Sequence, residues 1–438
     1  MKQLHYMVLV FLMAGLISLQ AQLKVAGSGE TLLIKDGTVL TITNGTIENG
    51  DILIKNGKIT AVKQEIKAAN NMKIIDASGM YVMPGIIDSH SHMGIEGGIN
   101  EATSTIVPQI SIAEVVRHDD LAFQRALAGG VTAINTLHGS ANPIGGLNAV
   151  LKLKFGKPAE EILIKEAQKS VKFALGENPK RVHPFPDTRM GVIFSVRRAF
   201  TEAKEYMQKW DEYQQKKKGK MKRTAWEKEY GLIPPQKDYT METLAEVLKG
   251  KIDVICHGYR ADEMLALMQL ADEIGFTIGS FEHCLEGYKI AKELKKHNVV
   301  ASMFADAWAY KMEAFDAIPY NCALLTRQGV LVTINSDSNE RVRRLYQEAA
   351  KAVKYGGLNE TEALKTITLN PARRLGLEHR LGSIEKGKDA DLAIFNGHPF
   401  SVYSRVEMTL IEGEVYFNRS TCPTVNTILS QLNKEKEE

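Results

Sequence analysis

With 438 residues, the chain has room for one large domain and a smaller companion. Apolar residues make up 44% and charged residues 24%, which excludes disordered and collagen-like classes. The formal charge of +3 gives no reason to expect nucleic acid or an anionic membrane surface as a partner.

At the N-terminus, Lys2 precedes an apolar run from Met7 to Leu19, followed by Gln20, Ala21 and Gln22. The run is short for a bilayer span and suits a secretory signal over residues 1–21, although Leu19 stands where a small residue is preferred if cutting follows Ala21. A cleaved signal implies a periplasmic or secreted protein with no stable membrane span; an uncleaved anchor is the alternative. Residues 22–83 then read as short strands with Asp36-Gly37, Asn44-Gly45 and Asn56-Gly57 at expected turns. A related pattern returns over 377–420, in "KDADLAIFNG" and "RVEMTLIEGEVYFN". The two flanks predict a small composite β-sandwich domain built from both chain ends, with 421–438 as a polar tail.

Residues 84–376 alternate strand and helix patterns, which predicts a parallel sheet with crossover helices. In chain order the strands are "YVMPGIIDSHSH", "VTAINTL", "NAVLKLK", "SVKFAL", "IDVICHGY", "FTIGSFEH", "VVASMFAD" and "VLVTINSDS". A polar, helix-like insertion near 188–231 separates the fourth from the fifth, and its basic run Lys216–Lys222 reads as a solvated helix face. Eight strands is the number a closed (β/α)₈ TIM barrel needs. An open doubly wound sheet would want an early G-x-G-x-x-G, and none follows an early strand.

The expected chemistry gathers at strand ends. His90 and His92 are two apart at the end of the first strand, so period-two geometry turns both toward one rim. Alone, an H-x-H pair is as consistent with two polar residues in a turn. His257, His283 and Asp337 end the fifth, sixth and eighth strands, and four imidazoles with a carboxylate suit a divalent ion such as Zn²⁺. Cys256 and Cys284 sit beside two of these histidines, but the four cysteines form no C-x-x-C pair and read as small buried residues rather than ligands.

The segments "VMPGIIDSHSHMG", "RALAGGVTAINT", "VKFALGENPKR", "ICHGYRADE", "EHCLEGYKIA", "INSDS" and "LGSIEKGKDADLAIFNGHP" together resemble the amidohydrolase superfamily, and within it the imidazolonepropionase-like branch. The resemblance implies two divalent metal ions. His90, His92 and Asp337 would hold one, His257 and His283 the other, and a carboxylated lysine would bridge them. Strand counting makes that lysine Lys172; Lys152 and Lys154 compete if one strand has been split into two. Bound ions would make a water nucleophilic near neutral pH, and Asp337 would shuttle its proton as general acid/base. Tyr259, two beyond His257, would face the same way and could hydrogen-bond a substrate carbonyl or form a wall. Asn178, Lys180 and Arg181, and more weakly His183 and Arg189, could grip an anionic substrate group or be surface charge.

The expected function is therefore hydrolysis of a C–N bond in a small amide or dipeptide-like substrate by an exported enzyme, acting as a monomer or a homo-oligomer. A dipeptidase of Xaa-Pro type competes with a cyclic-amide hydrolase or deacylase. A catalytically silent metal-bound binding protein and a metal-assisted deaminase or isomerase are further alternatives. Fold alone licenses no one reaction.

Overall fold

A computed structural model describes residues 31–70, 72–181 and 185–422. The expected signal segment, His183 and all but the first two residues of the expected tail lie outside the described residues.

The first five strands are β1 (Thr31–Leu40), β2 (Thr46–Lys55), β3 (Lys58–Lys63), β4 (Lys73–Asp76) and β5 (Tyr81–Pro84). The middle of the chain supplies β6 (Ile86–Ser91), β7 (Val131–Thr136), β8 (Ile144–Leu147), β9 (Ala149–Lys152) and β10 (Ser170–Ala174). After them come β11 (Asp253–Gly258), β12 (Ile278–His283), β13 (Val300–Met303) and β14 (Val332–Ile334). The C-terminal strands are β15 (Leu392–Phe395), β16 (Val406–Ile411) and β17 (Glu414–Asn418).

Both chain ends meet in one eight-stranded sheet of order β17-β16-β15-β5-β1-β2-β3, with β4 paired to β1. Its hydrogen bonds draw a single sheet where the sequence suggested a two-sheet sandwich. One face buries Ile34, Ile52, Ile54, Val82, Leu392, Ile394 and Leu410 in a core of their own. Asn56 and Gly57 both have positive φ and turn β2 into β3, as an Asn-Gly hairpin requires. Asp36-Gly37 behaves differently from its turn-like spelling. Asp36 takes φ 59° inside β1, and the pairing with β2 shifts register there, so the dipeptide makes a β-bulge rather than a turn.

The expected first strand is divided at Gly85, where the chain leaves the composite sheet as β5 and re-enters as β6. A side chain at Gly85 would collide with Thr132 of β7, so only glycine allows this close passage.

The middle strands hydrogen-bond as two sheets, β14-β13-β12-β11-β10-β8 and β6-β7-β9. From β10 to β14, and from β6 to β7, all pairings are parallel. The closed ring of eight parallel strands is not drawn by these hydrogen bonds. The expected third strand "NAVLKLK" is β9, antiparallel to β7, and β8 before it is antiparallel to β10. The physical reason lies in the connection: too few residues separate β7, β8 and β9 for a crossover helix, so the chain can only fold back. At the opposite seam, β14 approaches β6 through the Asp337 N–H, which donates to the His90 carbonyl at 3.2 Å, and the Ser89 and Thr333 hydroxyls, 2.9 Å apart.

Between β10 and β11 lies a helix of 29 residues, Arg189–Lys217, capped by the Thr188 hydroxyl on the Gly191 N–H. Its apolar positions Val192, Val196, Ala199, Phe200 and Ala203 recur at helical spacing and are buried. Phe200 stacks on Phe276 at 4.6 Å and meets Phe173 of β10, locking the helix to the sheet. Truncating such a ring to alanine costs about 3–5 kcal/mol.

Candidate metal centre

The C-terminal ends of β6, β10, β11, β12 and β14 converge. His90 and Lys172 lie on β6 and β10, His257 and His283 on β11 and β12, and His92 and Asp337 just past β6 and β14. The Asp337 carboxylate stands 3.2 Å from His92 Nε2, 3.6 Å from His90 Nε2 and 3.7 Å from His283 Nε2. Asp337 and His283 both adopt left-handed backbone conformations, with φ 43° and 70°. Non-glycine residues hold such angles only where the surroundings impose them, and both occur here at the point where the side chain must turn into the site.

Hydrogen bonding fixes which nitrogen each ring offers. His90 Nδ1 lies 3.0 Å from Glu282 Oε2, and His92 Nδ1 lies 2.8 Å from the Leu137 carbonyl oxygen. Both partners can only accept, so each Nδ1 carries the proton and each Nε2 keeps its lone pair. These two Nε2 atoms are 3.4 Å apart, beside a carboxylate. Acceptors crowded together without a donor repel one another, and a cation relieves the repulsion.

Electrostatics sharpen the same point. Burial holds His90 below the usual imidazole range, and drives His257 and His283 well below it, so all three favour the neutral form that binds metal. Burial alone would raise Asp337, yet His90, His92 and His283 outweigh it and keep the carboxyl well below its ordinary range. Both nitrogens of His257, Nδ1 of His283 and Nζ of Lys172 are buried with no hydrogen-bond partner among the described residues. Native interiors rarely leave such groups unpaired. Burial also lowers Lys172, opposed by Glu282 and Asp337 nearby. The donor set and its unpaired atoms fit a metal centre. His90, His283 and Asp337 bring ligand atoms within 4.8 Å of one another.

A cavity of about 370 Å³ opens over this centre, lined among others by His92, Asn178, Arg181, His257, Tyr259 and Asp337. Tyr259 lies on its wall, stacked on His283 at 5.3 Å. Asn178 and Arg181 reach the cavity. Lys180 does not line it and is paired with Glu177 at 2.8 Å. Arg189 also turns elsewhere, into ion pairs with Glu177 at 2.6 Å, with Glu313 at 3.1 Å and with Glu263. Three carboxylates remote in sequence neutralise Arg189, a grouping that strand patterns cannot reveal. Lys152 and Lys154 point away from the centre, into the composite sheet's Asp389, Asp391 and Glu412.

Sequence reasoning missed Glu282, Tyr310 and Lys311. Glu282 left a trace, an acidic residue inside the apolar strand "FTIGSFEH" and next to a proposed ligand. Tyr310 and Lys311 lie between named elements and carry no periodic signal.

Residues 81–416 match the family model described as "Amidohydrolase family". The chain belongs to that family. Among solved structures, an amidohydrolase from Thermotoga maritima is 36% identical and superposes with a TM-score of 0.78, covering 89% of this chain and 100% of that one. Among curated proteins, the amidohydrolase tasK of Hapsidospora irregularis is 30% identical over 400 residues, covering 84% of this chain. This amidohydrolase chain spans only 40% of that relative's length. A 5'-deoxyadenosine deaminase from Methanobrevibacter smithii is 23% identical over 398 residues, 84% of each chain.

Proposed function

We propose that the protein is an exported, metal-dependent hydrolase that cleaves a C–N bond of a small amide or dipeptide-like substrate, from the imidazolonepropionase-like branch of its family. The observation that carries this reading is a cavity lined by His92, His257, His283 and Asp337, with His90 behind it against the same carboxylate and the unpaired Lys172 buried near Asp337. His90, His92 and Asp337 would hold one ion, His257 and His283 a second, with Lys172 carboxylated between them; zinc suits the nitrogen-rich donor set. Family membership supports metal dependence. The two middle sheets are read as arcs of one (β/α)₈ barrel, since their strand ends share this centre. Export rests on the apolar Met7–Leu19 run.

When bound, divalent ions acidify a water and polarise the carbonyl under attack. The chain's own residues do the rest. Asp337 takes a proton from the attacking water as its oxygen joins the carbonyl carbon, then delivers that proton to the nitrogen as the C–N bond breaks. Tyr259 donates a hydrogen bond to the carbonyl oxygen, worth most as negative charge develops there. Arg181 and Asn178, on the outer wall, hold an anionic group and fix the scissile bond over Asp337.

Elemental analysis with a panel of dipeptides, N-acyl amino acids and cyclic amides tests the proposal. Bound metal together with hydrolysis of one class is expected. Bound metal with no turnover across the panel would favour a binding protein, and ammonia release from an aminopurine would favour a deaminase.

A further inference from the structure

Tyr259 has two neighbours on one short segment to which hydrolysis assigns no task. Tyr310 Oη–H donates to Tyr259 Oη at 2.6 Å. Tyr259 is thereby an acceptor already, and its own proton has no acceptor among the described residues. The ammonium of Lys311 sits 4.1 Å from the centre of the Tyr259 ring. Accepting a hydrogen bond polarises the phenol O–H outward, because bonds in a chain strengthen one another. A cation over the ring face draws electron density the same way. Both contacts therefore make Tyr259 a stronger donor toward the cavity that it lines.

The segment is held in place for this. Lys311 Nζ donates to Asn178 Oδ1 at 2.9 Å. Glu313 accepts from the Glu177 N–H at 2.9 Å and pairs with Arg189 at 3.1 Å. The Trp308 indole N–H closes the loop on the Phe315 carbonyl at 2.8 Å. The Tyr259 ring is clamped from its other sides, edge-on to His257 at 4.6 Å and stacked on His283. With the ring fixed, what remains to set is the direction and strength of its hydroxyl.

We propose that Tyr310 and Lys311 are positioning residues that aim and strengthen the Tyr259 hydroxyl as a hydrogen-bond donor to the substrate carbonyl. The identity of the acceptor rests on the hydrolase reading above; the coupling among the three residues does not.

The test is a Tyr310→Phe, Tyr259→Phe and double-variant cycle in the metal-loaded protein, with Lys311→Met beside it. Removing the Tyr259 hydroxyl should lower kcat about 10²-fold, as loss of one donor to a developing oxyanion does. Tyr310→Phe should lower kcat about 5-fold with KM little changed, the share expected of a cooperative partner. The double variant should be no slower than Tyr259→Phe, since Tyr310 acts only through that hydroxyl. Lys311→Met should cost about 3-fold in kcat. Multiplicative losses in the double variant would overturn the proposal, because a merely structural Tyr310 would act independently. A second readout needs no substrate: the phenol-carbon resonance of ring-labelled Tyr259 should shift in Tyr310→Phe and again in Lys311→Met. An unmoved resonance in both would overturn the coupling. A substrate panel that stays silent while the resonance shifts would overturn the hydrolase reading and leave the coupling supported.

Discussion

Glu282 Oε2 lies 3.0 Å from His90 Nδ1, and this single contact decides which face of the imidazole turns to Asp337. Burial works to raise the Glu282 carboxyl, but hydrogen bonds and charge from His90 and the Ser280 hydroxyl pull it down to about 2. The carboxylate therefore stays charged throughout any plausible working range and holds the His90 proton on Nδ1. Glu282→Gln keeps the shape and removes the charge. Metal affinity should fall by about 10–100-fold, as it does when the partner of a ligating histidine is lost. Competition against a fluorescent chelator would read this, and unchanged affinity would mean that Glu282 orients nothing.

Lys172 is fully buried and has no hydrogen-bond partner among the described residues, a state that burial makes tolerable by favouring the neutral amine. The neutral amine is the form that adds CO₂. Growth or incubation with carbon-13 bicarbonate should give a carbamate resonance in the wild type that is absent in Lys172→Met. The same variant should drop from about two bound ions per chain to about one, because the bridge of a two-metal site is gone. Full metal content in Lys172→Met would leave the residue as an inert buried lysine.

Asp337 offers a cleaner separation of binding from chemistry. Asp337→Asn keeps one oxygen for ligation but cannot take a proton. Turnover should fall about 10³-fold, within the range seen for loss of a general acid/base, while most of the metal stays bound. Turnover within a few-fold of wild type would remove the proton-shuttle role. Loss of metal and activity together would reduce Asp337 to a ligand.

Residues that act through strand geometry were legible in the sequence. His90, His92, His257 and His283 declare themselves because period two and strand order place them without tertiary knowledge. Lys172 required a strand count, and that count had rivals in Lys152 and Lys154; the fold separates them by sending the latter two toward Glu412. The antiparallel β9 was misread as a parallel strand because an apolar run looks the same in either direction, and only the short connection betrays it. The Asp36-Gly37 bulge was misread as a turn because both features need the same positive φ. Lys180 resembles a ligand grip in isolation but is held by its near neighbour Glu177, while Arg189 is taken up by Glu263 and Glu313 from segments far along the chain. Pairings of that kind leave no local signal.

One of those discarded lysines carries its own prediction. Lys152 on β9 is buried, with Nζ 2.6 Å from Asp389, 3.1 Å from Asp391 and 2.8 Å from Glu412. The carboxylates belong to the turns around β15, β16 and β17, so the cluster joins the composite sheet to the middle of the chain. Burial alone would raise Asp389, but Lys152, Lys58 and Arg380 hold it well below its ordinary value. A depressed carboxyl contributes stability that is present above its unfolded pKa of 3.8 and is lost as pH falls through the folded value. Asp391 runs the other way, raised by burial, so ionising it costs stability as pH rises through its folded value. Lys152→Met removes the shared cation and leaves the carboxylates to one another, which should cost about 3–5 kcal/mol at neutral pH. Without Lys152 the Asp389 carboxyl also moves upward, and protonation then relieves the variant. Its melting temperature should therefore rise from pH 7 to pH 5 by more than that of the wild type, in which Asp389 stays ionised over this range and only the raised Asp391 can take up a proton. Thermal unfolding followed by circular dichroism at both pH values reads the difference. A variant that loses the same number of degrees at each pH would show that Lys152 contributes packing rather than charge.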